Sequence, residues 1–214
     1  MNVSHKAVSR LSLYRSALLR FKAYDVSKIY SCAIAEMLGF TTAQVRKDFS
    51  MFRFAGVKKI GYDIDQLITN IDRLLQKDHS TAAILCGTGS SGYTFFIDQL
   101  LKDQGISIAA AFDDQKHPSV TTTESGIPVL PLEILIPYIT VNMVKFAIIA
   151  TSGKDAQRML DMLVLAGIKG VLNLTGTEIK APKRCIINTI SVVREFDKLI
   201  YFVKNSSDKK KVKK

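Results

Sequence analysis

Residues 82–101 read AAILCGTGSSGYTFFIDQLL, and this stretch decides the fold of the second half of the chain. An apolar run ends at Cys86, glycines follow at Gly87, Gly89 and Gly92, and a helix-like run comes next. In this context the first glycine permits a tight turn, the second lets the backbone approach a pyrophosphate, and the third lets helix and strand pack closely. The free N–H groups at the start of the helix then face the phosphates. The stretch therefore predicts a dinucleotide-binding βαβ unit.

An acidic pair follows the second apolar run, ISIAAAF. Asp113 lies 21 residues after Gly92, where a carboxylate accepts hydrogen bonds from the adenosine ribose. Asp113 and Asp114 together would repel a 2′-phosphate, which favours NAD(H) over NADP(H). Two alternatives stay open: a glycine turn whose strand-end acid caps the next loop, and coenzyme A, whose adenine nucleotide fits the same crevice of related sheets. The candidate cofactor-binding residues of this region are Gly87, Thr88, Gly89, Ser90, Ser91, Gly92 and Asp113.

The rest of the second half alternates short apolar runs with helix-like stretches. The runs KFAIIA, GVLNL and RCIIN are typical of buried parallel strands. The alternation predicts an α/β fold, a doubly wound parallel sheet of the Rossmann type with helices on both faces. A final helix-length segment, from Ser191 to Val203, is so apolar that we expect it to pack on its own domain or on a second subunit.

The first part of the chain has a helical period instead. Apolar residues recur there at three- and four-residue steps, as on the buried stripe of a helix: Leu11, Tyr14, Leu18 and Phe21. A short helix fits residues 31–38, and Thr41-x-x-Gln44 has the capping-box pattern that opens another helix. Two helices joined in this way predict a helix-turn-helix, and FAGVKKIGY, residues 54–62, predicts a small β-hairpin after it. The second helix carries four polar side chains, Gln44, Arg46, Lys47 and Ser50.

The charge is concentrated at one end of the 214-residue chain. The formal net charge is +11; residues 1–62 carry +8, residues 79–208 are neutral, and the last six residues include five lysines. A basic block on a neutral body is the electrostatic pattern of a polyanion binder, although a solvated charged face gives the same count. We expect the lysine tail to be disordered.

The sequence excludes or disfavours several classes of protein. A hydrophobic content of 47% is too high for a disordered chain, and no stretch has the roughly 18 apolar residues of a membrane span. The N-terminus lacks the apolar core of a signal peptide, so we expect a cytoplasmic protein. The three scattered cysteines, Cys32, Cys86 and Cys185, form no C-x-x-C pair, which argues against a disulfide framework or a metal site.

Catalysis is the weaker interpretation of the glycine loop. Hydride transfer requires a general acid or base near the reacting carbon. The histidines are His5, His79 and His117; two precede the sheet and the third follows its second strand. We therefore expect no enzyme, with a small NAD-dependent oxidoreductase as the remaining alternative.

These motifs together resemble those of the Rex family, bacterial redox-sensing transcriptional repressors. The resemblance extends in order from RLSLYR through AQVRKDFSMF, the lysine hairpin, CGTGSSG and AAFD to the terminal EFDKLIYF. It implies a homodimer with an N-terminal winged helix, a Rossmann domain and a final helix exchanged between subunits. It also implies binding to an inverted-repeat DNA operator that is released when NADH binds. The expected boundaries are 1–78 for DNA binding, 79–190 for the dinucleotide, 191–205 for the swapped helix and 206–214 for the tail.

The resemblance also assigns roles to individual residues. It places Gln44, Arg46, Lys47 and Ser50 on the recognition helix, and Lys58 and Lys59 on the wing that enters the minor groove. Thr151 and Asn173 match strand ends that line the nicotinamide side.

Three positions correspond to the family's switch between cofactor and DNA: Arg10, Asp98 and Ser191. The arginine is present, but Asp98 stands where the family often has tyrosine, and Ser191 where it commonly has aspartate. A DNA-binding regulator that lacks redox switching and binds another adenine nucleotide is therefore the second hypothesis.

Overall fold

A computed structural model gives the architecture. It describes residues 4–57, 60–77, 80–87, 91–102, 104–113, 122–123 and 125–208. The chain divides into two compact units, Met1–His79 and Ser80–Lys214. Among the described residues, no helix has both the length and the hydropathy that a membrane span requires.

The N-terminal unit contains the predicted helix-turn-helix. Its elements are α1 (His5–Ala23), β1 (Lys28–Ile29), α2 (Ser31–Leu38), α3 (Thr42–Met51), β2 (Tyr62–Asp63) and α4 (Ile64–Leu74). Helix α2 ends at Gly39, whose φ of 68° is left-handed and suits glycine. Helix α3 begins where the Thr41 hydroxyl accepts a hydrogen bond from the backbone N–H of Gln44 over 3.1 Å. These two local signals, glycine and cap, set the turn between the helices.

The predicted small β-structure follows α3: Val57 and Gly61 form an antiparallel bridge closed by two backbone hydrogen bonds of 2.9 Å. Strand β1, which precedes α2, pairs with β2 in antiparallel register. Lys58 and Lys59, the predicted wing residues, lie outside the described residues. A helix-turn-helix followed by such a hairpin is a winged helix.

The C-terminal unit is a doubly wound parallel sheet. Its elements are β3 (Thr81–Cys86), α5 (Ser91–Lys102), β4 (Ile106–Asp113), β5 (Val129–Pro131), α6 (Leu135–Val141), β6 (Phe146–Ile149), α7 (Ala156–Ala166), β7 (Gly170–Asn173), β8 (Ile186–Thr189) and α8 (Val192–Asp208). The strand order is β5-β4-β3-β6-β7-β8, and every pair is parallel. The order reverses between β3 and β6, which is where open α/β sheets bind their ligands.

Both faces of the sheet are buried, which explains the continuous apolar runs. Ile84 and Cys86 belong to a cluster that includes residues of α6 and α7, whereas Leu85 between them belongs to a second cluster with Ile97 of α5. Alternate residues of a strand point to opposite faces. Each face therefore has its own apolar layer, and the predicted Rossmann-type sheet is confirmed.

Helix α8 does not bury its apolar side on its own chain. Phe196, Leu199 and Val203 are 60%, 55% and 58% exposed. The expectation that this helix packs on its own domain is thus wrong, and packing on a second subunit stays a prediction. The helix also continues to Asp208, three residues beyond the expected boundary at 205 and into the segment that we predicted to be a disordered tail.

Candidate DNA and nucleotide sites

Helix α3 presents a polar, cationic face to solvent. Val45 and Phe49 are fully buried and anchor the helix in its unit, whereas Arg46, Lys47 and Ser50 are exposed. The Arg46 Nε donates a hydrogen bond to the Ser31 hydroxyl of α2 over 3.2 Å, which holds the guanidinium group against α2 while the residue remains exposed. Three of the four predicted recognition residues are therefore available to a phosphate backbone or a base edge.

The fourth recognition residue, Gln44, belongs to a hydrogen-bond network around a buried carboxylate, which was not predicted from the sequence. The carboxylate of Asp48, 2% exposed, lies at its centre. Arg10 donates to it from Nε and Nη2 over 2.5 and 2.8 Å. The Tyr14 hydroxyl donates over 2.7 Å, and Gln44 Nε2 donates over 2.9 Å. Asp48 therefore links α1 to the exposed helix of the helix-turn-helix.

The protonation states of this network are set by its hydrogen bonds. Burial by itself would raise the pKa of Asp48, but the hydrogen bonds from its three donor residues outweigh burial and hold the pKa below its ordinary value. Burial, followed by the hydrogen bond to Asp48, raises the pKa of Tyr14. The hydrogen bond to Asp48 likewise raises the pKa of Arg10. At neutral pH Asp48 is therefore an anion that only accepts hydrogen bonds.

A sequence signal for Asp48 did exist. Positions 45, 48, 49 and 52 recur at three- and four-residue steps, so Asp48 falls on the same stripe as the apolar residues of α3. A charged residue on a buried stripe requires a partner. The partners lie 34 and 38 residues earlier in the chain, beyond the reach of any local pattern.

A cavity of about 200 Å³ lies at the carboxyl ends of β3, β4 and β6. Its wall includes three of the predicted cofactor residues, Gly87, Asp113 and Thr151, together with apolar side chains such as Phe112 and Met159. This is the topological switch point of the sheet. The structure thus brings the strand-end acid and the first glycine of the loop to one place.

Gly87 lies where the neighbouring backbone leaves no room for a side chain. Its φ is 96°, and a Cβ atom there would lie 2.8 Å from the carbonyl carbon and oxygen of Ala150 and from the backbone nitrogen of Thr151. The close approach of β3 and β6 leaves room for backbone only. Of the rest of the loop, Thr88, Gly89 and Ser90 lie outside the described residues, and Ser91 and Gly92 form the first turn of α5.

The residues that line the cavity have the chemistry that an adenine nucleotide requires. Asp113 is half-buried at the end of β4 and supplies the carboxylate that a ribose requires. Phe112, Leu132 and Met159 supply an apolar wall, as is usual for small-molecule sites. No group of three or more His, Cys, Asp or Glu residues in the described part of the chain could hold a metal ion.

Asn173 does not offer its side chain to the cavity. Its amide donates to the Thr177 carbonyl over 2.8 Å and to the Thr189 hydroxyl over 3.2 Å. Its oxygen accepts from the backbone N–H and the hydroxyl of Thr175 over 3.1 and 2.8 Å. These four hydrogen bonds fill the capacity of an amide, so a contact between Asn173 and a nucleotide would have to come from its backbone.

The three cysteines differ in exposure. Cys86 is fully buried directly before Gly87, and burial raises the pKa of its thiol to about 12. Cys185 is 6% exposed, and burial raises its thiol pKa as well. Cys32, in the first turn of α2, is exposed.

Both units of the chain are similar to known proteins. A family model described as "Putative DNA-binding protein N-terminus" matches residues 2–50, and one described as "CoA binding domain" matches residues 78–177. The "Redox-sensing transcriptional repressor Rex" of Limosilactobacillus reuteri strain DSM 20016 is 31% identical over 206 residues, 96% of each chain. The chain belongs to the Rex family. The Rex of Bacillus licheniformis is 31% identical over 216 residues, 99% of this chain and 100% of the relative.

Solved Rex structures share the whole fold. "RSP, a Rex-family repressor" superposes with a TM-score of 0.87 at 25% identity, with all of both chains covered. The structure of RSP in complex with β-NAD⁺ and operator DNA superposes with a TM-score of 0.88, and that of RSP with β-NADH superposes with a TM-score of 0.86. The members of this family are transcriptional repressors, not enzymes.

The three positions that we predicted to form the switch each have a partner within this chain. Arg10 pairs with Asp48, as described above. Asp98 is fully buried on α5, and the Lys102 Nζ lies 2.8 Å from its Oδ2. The Ser191 hydroxyl accepts a hydrogen bond from the backbone N–H of Arg194 over 3.2 Å and so caps α8. Their roles as a switch stay a prediction.

Proposed function

We propose that this chain is a cytoplasmic, homodimeric transcriptional repressor that senses the NADH/NAD⁺ ratio and releases an inverted-repeat operator when NADH binds. One observation carries the proposal: a single chain joins the exposed cationic face of α3 to a Rossmann-type sheet whose switch point has a cavity bordered by Gly87 and Asp113. The proposed domain assignment keeps residues 1–78 for DNA and 79–190 for the cofactor, and it extends the exchanged helix from the expected boundary at 205 to Asp208, where α8 ends.

The DNA contacts divide into positioning and readout. Arg46 and Lys47 neutralise phosphates, and Ser50 donates a neutral hydrogen bond on the same face. Gln44 lies in the first turn of α3, the part of a recognition helix that meets base edges, where an amide pairs with adenine. Lys58 and Lys59 belong to the wing and suit the narrow minor groove of A·T-rich DNA.

The nucleotide contacts follow from the cavity. Asp113 accepts hydrogen bonds from the ribose and disfavours a 2′-phosphate. Gly87 permits the tight turn that begins the loop, and Gly89 lets the backbone approach the pyrophosphate. Thr151, on the wall of the cavity, borders the nicotinamide side. The cofactor itself supplies the redox information, since the nicotinamide ring is cationic in NAD⁺ and neutral in NADH.

A second copy of the chain covers α8. Phe196, Leu199, Ile200 and Val203 lie on one side of this helix and leave an apolar hollow. A soluble protein rarely leaves such a surface to water. Two copies related by a twofold axis also match the two half-sites of an inverted repeat.

The cofactor and the operator must influence each other equally. If NADH prefers a dimer whose recognition helices no longer match the two half-sites, then operator DNA weakens NADH binding by the same factor. No change in either site is needed beyond this shift between two states.

The test is DNA binding with both cofactors titrated in parallel. The probe is an inverted-repeat duplex selected in vitro on the wild-type protein, followed by fluorescence anisotropy. We expect NADH to weaken the complex more than NAD⁺ does. Identical curves for the two cofactors would remove redox sensing from the proposal and leave DNA binding intact.

A second candidate is a DNA-binding regulator that responds to another adenine ligand. It is favoured by Asp98 and Ser191, which depart from the family pattern, and by the "CoA binding domain" match over residues 78–177. Calorimetry with NADH, NAD⁺, ATP and coenzyme A separates the two candidates. Binding of coenzyme A without binding of NADH would select the second.

A further inference from the structure

We propose that Asp48 is a positioning residue for base recognition: it fixes the amide of Gln44 so that α3 reads adenine and rejects guanine. The inference rests on the proposed function, in which α3 enters the major groove. It adds a determinant of sequence specificity that itself touches no DNA.

Asp48 determines which way the Gln44 amide points. The Asp48 Oδ1 lies 2.9 Å from the Gln44 Nε2. An ionised carboxylate only accepts hydrogen bonds, so it must face the NH₂ group and not the carbonyl oxygen of the amide. Asp48 therefore settles the orientation of an amide that could otherwise rotate by half a turn at little cost.

The fixed amide keeps part of its hydrogen-bonding capacity for a base. One of its two N–H groups is committed to Asp48, which leaves one N–H donor and the carbonyl acceptor. Adenine presents an N7 acceptor and an N6 amino donor in the major groove, and these match that remaining pair. Guanine presents two acceptors, N7 and O6. A single remaining N–H cannot satisfy both, and the amide oxygen would face O6.

Asp48 is itself held by four hydrogen bonds. Each carboxylate oxygen accepts two hydrogen bonds: Oδ1 from Arg10 Nη2 and Gln44 Nε2, Oδ2 from Arg10 Nε and the Tyr14 hydroxyl. Arg10 and Tyr14 are one turn apart on α1. Because all four hydrogen bonds converge on a carboxylate that is 2% exposed, Asp48 is held in place, and through it Gln44 is held by α1 as well as by its own helix.

The experiment measures base discrimination instead of affinity alone. The full-length protein is titrated against its selected inverted-repeat duplex and against versions in which half-site adenines are replaced, one at a time, by 7-deazaadenine or by guanine with its complement. For the wild type we expect at least one adenine whose replacement weakens binding about fivefold or more, the lower limit of a bidentate contact. Gln44→Ala should be insensitive at that position.

Asp48→Asn is the decisive variant. We expect its affinities for the adenine duplex and the replaced duplex to differ by about twofold or less, as for Gln44→Ala. The double variant should show no further loss of discrimination. Its affinity for a scrambled duplex, which reports on phosphate contacts, should stay within about twofold of wild type. Glu36→Gln is the matched control: it makes the same change from carboxylate to amide at an exposed residue of α2 outside the Asp48 network, and it should keep the discrimination.

One measurement does not depend on a folded Asp48 variant. In the ¹⁵N-glutamine-labelled wild-type protein, the side-chain amide of Gln44 should have an order parameter near that of rigid backbone, about 0.85, not the value below about 0.6 of a mobile group. A mobile amide, or an Asp48→Asn variant that keeps the wild-type discrimination, would overturn the inference. A wild type that binds its selected duplex but discriminates at no adenine would overturn it too. A wild type that binds no duplex would instead overturn the proposed function.

Discussion

Replacing Gly87 by alanine should destabilise the C-terminal unit by about 2 to 5 kcal/mol. A φ of 96° costs an L-residue roughly 1–2 kcal/mol. The added Cβ would also meet three backbone atoms of residues 150 and 151 at 2.8 Å, and overpacking of this kind costs about 1–3 kcal/mol. Those backbone atoms follow β6 and line the cavity. The variant should therefore also displace the cavity wall and weaken NADH binding.

Gly167→Ala separates the two contributions. Gly167 has nearly the same φ, 99°, but no atom lies within 4 Å of a Cβ built there. It should therefore lose only the conformational part, about 1–2 kcal/mol, and keep its NADH affinity. The measurements are chemical denaturation followed by circular dichroism, and NADH fluorescence titration. If Gly87→Ala costs no more than Gly167→Ala, the close approach of β3 and β6 is not what requires glycine.

Three further predictions concern the other parts of the molecule. Arg46→Ala should weaken operator binding and reduce its salt dependence by about one counterion while NADH affinity stays unchanged; unaltered DNA binding would remove Arg46 from the interface. The pKa of Asp48 is lowered in the folded chain. The stability advantage of wild type over Asp48→Asn should therefore be full above the ordinary carboxyl pKa of 3.8 and shrink as the pH falls below it. Denaturation curves from neutral pH into acid would show this, and a difference in stability that does not change with pH would contradict it. Phe196→Asp should give a monomer by light scattering, whereas Lys198→Asp, on the opposite side of α8, should remain a dimer; a dimeric Phe196→Asp would exclude α8 as the interface.

The sheet was predictable because its strands are buried on both faces. Central parallel strands such as β3 and β6 are continuous apolar runs, and such runs are visible in a sequence. Strand β5, Val129–Pro131, was not identified because it has three residues and ends in proline. The two-residue strand β1 was missed for a similar reason: its only signal is the partner strand 34 residues later.

The candidate sites were predictable where they depend on local geometry. Gly87 and Asp113 follow from a motif and a spacing, and the structure places both on one cavity. Asp48 was missed because counting charges along the chain treats every charge as a surface charge. Asn173 was correctly placed at a strand end, but four hydrogen bonds from one amide cannot be inferred from the sequence around it.

The unequal environments of the three thiols make the chain easy to label. A maleimide dye reacts with thiolates at accessible sulfurs, which Cys86 and Cys185 do not provide at neutral pH. Cys32 is exposed and next to Ser31, the residue that Arg46 contacts. The native chain thus carries a single attachment point for a fluorophore beside the recognition helix, and its emission would follow operator association in real time without any engineered residue.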